Sequence, residues 1–256
     1  MHRITTQNNS YLKNFLLKSM DCTNPAYRLL SILEEGKSIG AQSGCKAAWA
    51  QILKTDQNSP DLLIRMGKVM ELPSQIIQAL QDIYPEEQNT WQHWNNQVGH
   101  AFISQQLQSQ WGTFINNIDS HSYTYLRLHA KLLQVQSRTK PLEADTLKKI
   151  RSDLDECLAE TLQSDFDIDV KRYLARNLRK LIAAIDEYHI TGTAGILDSI
   201  EIIMGHQVID PKYKEVIRNS EIGSKISTIV GTAADALTIV LGLPQIGQSL
   251  NYLLGK

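Results

Sequence analysis

Four stretches of the chain hold residues whose types and spacing could do chemistry. "GAQSGCKAAW", Gly40 to Trp49, brings Gly40, Gly44 and Lys46 together as a phosphate-binding loop would. Such a loop needs G-x-x-x-x-G-K-[ST] after a buried strand, so that backbone amides cradle phosphates and a hydroxyl reaches magnesium. Here the glycines are one residue too close, Cys45 separates Gly44 from Lys46, and Ala47 replaces the hydroxyl. A loop ending in a helix start is expected instead. Asp165, Asp167 and Asp169 alternate as in a calcium loop, but Val170 and Arg176 stand where that loop needs glycine and glutamate. Helix capping is the expected role. In "WQHWNNQVGHAF", His93 and His100 lie two helical turns apart with no third ligand nearby. Trp91, Trp94, Val98 and Phe102 follow the spacing of a buried stripe. His121 and His129 share the same ambiguity.

The fourth stretch is basic. Arg172, Arg176 and Arg179, at i, i+4 and i+7, form a face able to contact phosphates, flanked by Lys171, Lys180, Asp169 and Asp186. A solvated, partly salt-paired face is the plainer reading, and no aromatic platform interleaves the arginines. Gly-x-Ser-x-Gly and His-Glu-x-x-His are absent, as is an arginine followed about five residues later by histidine, the pattern of some helical ribonucleases. No catalytic, cofactor-binding or metal-binding set emerges, and no small-molecule ligand is expected.

The last thirty residues raise a different chemistry. From Ile226 to Gly255 the only charged side chain is Asp235. Read as a helix over 224–241, the segment puts Ile226, Ile229, Val230, Ala233, Leu237, Val240 and Leu241 on one broad face. Thr228, Gly231, Thr232, Asp235 and Gly242 fall on the other. A bilayer-spanning helix needs about 20 apolar residues and no central charge. A helix docked by its large residues, with a small-residue face open to another helix, fits better.

These residues must be positioned by helices. The chain has 256 residues, 42% hydrophobic and 21% charged, with a formal net charge of −1. No whole-protein field draws in nucleic acid or an anionic membrane, so any such binding is local. Cys22, Cys45 and Cys157 form no Cys-x-x-Cys pair, and the N-terminus lacks a signal pattern, so a cytoplasmic protein is expected. Apolar residues recur three and four apart almost throughout, which predicts an all-α fold, a multi-helix bundle of about ten to twelve helices. Helices are expected over 10–20, 25–35, 44–54, 60–70, 73–83, 88–118, 122–137, 142–163, 167–189, 193–206, 211–220 and 224–241, with a final turn at 246–254. The polar seam 136–140 before Pro141 suggests helical subdomains 1–140 and 141–256.

Three segments, "CKAAWAQILKTDQNSPDLLIRMGKVMELPSQIIQAL", "WNNQVGHAF" and "LARNLRKLIAAIDEYHITGTAGILDSIEIIMG", resemble an uncharacterised family of bacterial all-helical proteins of about this length. In that family a tryptophan opens an early helix and a Tyr-x-(Ile/Val)-x-Gly turn joins two late ones. Trp49, Tyr188, Ile190 and Gly192 stand at those places. The resemblance spans residues 44–256, carries no catalytic residue, and implies an accessory bacterial locus of the phage-defence or toxin type. The expected function is a non-enzymatic interaction or oligomerising component with a protein partner or a second copy. The alternative is a membrane-acting effector whose segment 224–254 is released and inserts. A third is nucleic-acid binding through Arg172, Arg176 and Arg179.

Overall fold

Asn24 shows how the helices of this protein are started and tied down. Its side-chain oxygen accepts from the Ala26 and Tyr27 amides, closing the first turn of a helix that Pro25 opens. The amide nitrogen of the same side chain donates to the Ala130 carbonyl, 106 residues away, at 2.8 Å. The structure, a computed structural model, describes residues 23–136 and 142–241. Among them the protein is all-α: twelve α-helices, two short 3-10 turns and one isolated antiparallel bridge between Gly44 and Gln110. The sequence-predicted helix 10–20, the final turn 246–254 and residues 137–140 of the seam lie outside the described residues. The chain divides into two compact units, Met1–Ser137 and Arg138–Lys256.

Unit 1 contains α1 (Pro25–Ser38), α2 (Cys45–Leu53), α3 (Asp61–Ile83), α4 (Gln88–Ser104), α5 (Gly112–Ile115) and α6 (Ser120–Gln136). Helix α1 is its centre and packs on α6, α3, α2 and α5, with Ala26, Leu29, Leu30 and Leu33 almost wholly buried. Two expected boundaries are corrected. The helices placed at 60–70 and 73–83 are one helix, α3, with Pro73 inside it. An interior proline costs about 3 kcal/mol. Here Leu62, Met66, Val69 and Leu72 before it and Ile76 and Leu80 after it bury on one continuous face, and burial at about 1.5–3 kcal/mol per large side chain outweighs the break. The helix placed at 88–118 stops at Ser104, where Gln105 turns extended. The chain then runs back along the start of α2: Ser109 O accepts from the Cys45 amide and Ser43 O from the Trp111 amide.

Unit 2 contains α7 (Ala144–Gln163), α8 (Ile168–Asp186), α9 (Tyr188–Thr191), α10 (Ala194–Gly205), α11 (Pro211–Asn219) and α12 (Glu221–Leu241). Helix α8 packs between α7 and α10, and α12 lies on α7, α11 and α10. Asp167 caps α8 by accepting from the Asp169 amide, and its carboxylate also takes Lys212 at 2.8 Å. The capping expected of this acidic cluster is thus what the structure shows. The helix expected over 167–189 ends at Asp186 and resumes as the single turn α9. Gly192 follows at φ 68°, ψ −153°, a region open to glycine almost alone and distinct from the left-handed helical conformation expected there. Between α11 and α12 the chain turns so tightly that a Cβ on Gly223 would lie 2.2 Å from the Val216 carbonyl oxygen. Only glycine permits that crossing.

Candidate interaction surfaces

The tryptophans of unit 1 and His129 are consumed by its core. Trp49, Trp94 and Trp111 are fully buried. Trp49 stacks on Phe102 and meets Trp111 and Phe114 edge-on, and its indole N–H donates to Gln105 Oε1 at 2.8 Å. Trp111 donates to the Gly36 carbonyl at 2.8 Å. His129, also fully buried, accepts from the Trp94 indole at Nδ1. Its Nε2 lies 3.0 Å from the Thr90 hydroxyl, which already donates to the Glu87 carbonyl. The hydroxyl therefore offers only a lone pair, which requires a neutral ring protonated on Nε2. Burial agrees, holding the His129 pKa down to about 4. As expected of a packing stripe, Trp91, Trp94, Val98 and Phe102 are buried.

The two histidines considered as ligands do not converge. His93 pairs with Asp119 at 2.8 Å on the surface, while His100 faces the Ser104 hydroxyl. The Ser122 amide and His93 hold the Asp119 carboxyl down to about 2. Among the described residues no three His, Cys, Asp or Glu side chains gather in a way that could hold a metal. The phosphate-loop lookalike is a cap: Gly44 precedes α2, and the Cys45 amide that would face a phosphate bonds Ser109 O at 2.8 Å.

Unit 2 also buries polar side chains, Thr161 and Asn177 among them, but it carries two surfaces on which polar groups stand open. The first is α12. Ile226, Ile229, Val230, Ala233, Leu237 and Val240 are buried, while Thr228, Thr232 and Asp235 are exposed and Gly231 is half-buried. Gly242 lies outside the described residues. The threonines of the open face satisfy their own donors: Thr228 Oγ1 donates to Ser224 O, Thr232 Oγ1 to Thr228 O, and the neighbouring Thr238 Oγ1 to Asp235 O. A hydroxyl bonded within its own helix presents mostly its methyl outward, so covering this face removes little hydration. Beside it, α7 and α12 enclose a groove of about 310 Å³ whose lining includes Asp153, Glu156, Cys157, Glu160, Thr228 and Ile229. Its floor is uncharged, since burial pushes the Cys157 thiol up to about 11. Its wall is acidic. Lys225 takes one Glu160 oxygen at 2.7 Å, and Asp153 and Glu156 have no ion pair among the described residues.

The second surface is the arginine stripe of α8. Arg172, Arg176 and Arg179 are all exposed. The nearest carboxylate to Arg172 is Asp169 at 3.9 Å, and Arg176 and Arg179 have no ion pair among the described residues. An aromatic ring that sequence reasoning passed over does lie here. Tyr173 stacks on His206 with centroids 3.6 Å apart, and the Arg176 guanidinium sits over its ring at 5.1 Å. With His206 and Arg176 both on it, the ring offers no free face for a base. The residue spacing alone gave no sign of it, because His206 comes from the far end of α10.

By length and composition α12 is able to cross a membrane. Releasing it exposes Ile226, Ile229, Val230, Leu237 and Val240 together. At about 1.5–3 kcal/mol each this costs on the order of 7–15 kcal/mol, as much as the whole stability of an ordinary domain. No protein-family model matches the chain, and neither a curated protein nor a solved structure matches it.

Proposed function

We propose that the protein is a non-catalytic helical interaction component that binds another protein, or a second copy of itself, along the exposed face of α12 and the groove beside it. One observation carries this reading. A long, largely apolar helix is anchored by most of its large residues, yet keeps outward a face made, apart from Ile239, of small side chains whose hydroxyls are already bonded within the helix. Small residues let a second helix approach closely, and satisfied hydroxyls lower the desolvation cost of that approach.

Deleting residues 224–256 is a poor test, since α12 supplies much of the core of unit 2. A surface change is cleaner. A Cβ on Gly231 meets nothing within 4 Å, so Gly231→Arg fits the fold while blocking close approach. Light scattering over a dilution series reads the outcome. Wild-type mass rising with concentration, and constant single-chain mass for Gly231→Arg at an unchanged melting temperature, supports the reading. A mass for Gly231→Arg that rises as the wild type's does refutes it.

A further inference from the structure

We infer that the acidic groove between α7 and α12 takes the arginine stripe of α8 from a second copy of the chain, the two helices running antiparallel. This rests on the interaction reading above and names its partner. The argument is charge and spacing together. The groove wall presents Asp153, Glu156 and Glu160 at i, i+3 and i+7 along α7. The stripe presents Arg172, Arg176 and Arg179, which read backwards is also i, i+3 and i+7. At about 1.5 Å of rise per residue each set spans about 10.5 Å. An antiparallel approach therefore places Arg179 opposite Asp153, Arg176 opposite Glu156 and Arg172 opposite Glu160. A parallel approach leaves the middle pair out of step by one residue.

The groups are free to do this. Asp153, Glu156, Arg176 and Arg179 have no ion pair among the described residues, and the Arg172 side chain is 75% exposed. Glu160 keeps Lys225 on one oxygen, and a carboxylate has room for a second donor. Guanidinium suits this role, since its planar fork meets a carboxylate with two parallel bonds. Below the charges, Cys157 and Ile229 give the groove an apolar floor for the aliphatic stems of the arginines. Because the contact joins two unlike surfaces, copies close two such contacts about a two-fold axis or continue head to tail.

Two variants test it by sedimentation velocity. One reverses the groove, Asp153→Lys with Glu156→Lys; the other reverses the stripe, Arg176→Glu with Arg179→Glu. All four side chains are outside the core, so both variants keep the wild-type helical signal and melting temperature. Each alone is expected to associate about tenfold or more weakly than wild type. Mixed in equal amounts, they regain association, because opposite charges face one another again. If wild type associates and either variant alone does so equally well, or if the mixture stays as weak as its components, the inference is overturned while the interaction reading stands. If only stripe reversal matters and association vanishes on nuclease treatment, the arginines hold nucleic acid and the inference is likewise overturned. A wild type that stays single at every concentration overturns this inference and the self-association arm of the reading alike.

Discussion

Unit 1 and unit 2 are both helical and both bury some polar side chains, but the residues in each that most suggest chemistry stand in different places. In unit 1 the residues most suggestive of chemistry, its tryptophans and His129, close on one another: Trp94 to His129, His129 to Thr90, Trp49 to Gln105, Trp111 to Gly36. In unit 2 the core is mostly aliphatic, and Asp153, Glu156, Arg176 and Arg179 stand outside it without ion pairs among the described residues. A polar group whose bonds are complete inside the fold explains stability. One left open explains what the fold can bind. On the proposed reading, the binding surfaces are those of unit 2.

The comparison breaks most visibly where unit 2 tolerates no change. Gly223→Ala puts a Cβ into the Val216 carbonyl and is expected to destabilise unit 2 by about 3 kcal/mol or more, measured by denaturant unfolding. A loss under about 1 kcal/mol would show that the crossing of α11 and α12 is not close-packed. Unit 1 has its own sharp dependence, on pH. With its folded pKa near 4 and an unfolded value near 6.5, neutral His129 contributes stability that is fully present above pH 6.5 and is lost as pH falls toward 4. The amount is on the order of 3 kcal/mol. Tryptophan fluorescence during unfolding at pH 7 and pH 4.5 should show it, and replacing His129 with Gln should flatten that part of the profile. Trp94→Phe tests the same network more gently: it strands His129 Nδ1 in the core, at about 1–3 kcal/mol by thermal melting. The smallest effect has the opposite sign. Gly231→Ala, on the open face of α12, should stabilise by about 0.5–1 kcal/mol, because alanine favours a helix where glycine does not and nothing is in its way.

Much of the fold could be read from local signals. Asn24-Pro25, Asp167-Ile168-Asp169 and Asp210-Pro211 are caps, and all three start helices. The division of α12 into a buried face of mostly large residues and an exposed face of mostly small ones followed from spacing, with Ile239 exposed against that pattern. Local signals failed where distant contacts decided the outcome. Pro73 stays helical because both halves of α3 bury apolar side chains against its neighbours, α1 foremost. The helix expected over 88–118 breaks because residues 105–111 bond to the start of α2. The candidate interaction surfaces were half legible. The arginine stripe and the α12 face were visible in the sequence, but the groove was not, since its two sides come from α7 and α12, which are distant in the chain.

The central claim is that charged surfaces of unit 2 join copies of this chain, and the solution mass of the wild type against ionic strength tests it most directly. Between about 0.01 M and 1 M salt the screening length falls from about 30 Å to about 3 Å. The account predicts a mass well above 28.9 kDa that grows with concentration at low salt and falls back to that of one chain at high salt. A mass of one chain at every concentration in low salt, or an association that high salt leaves untouched, would contradict it.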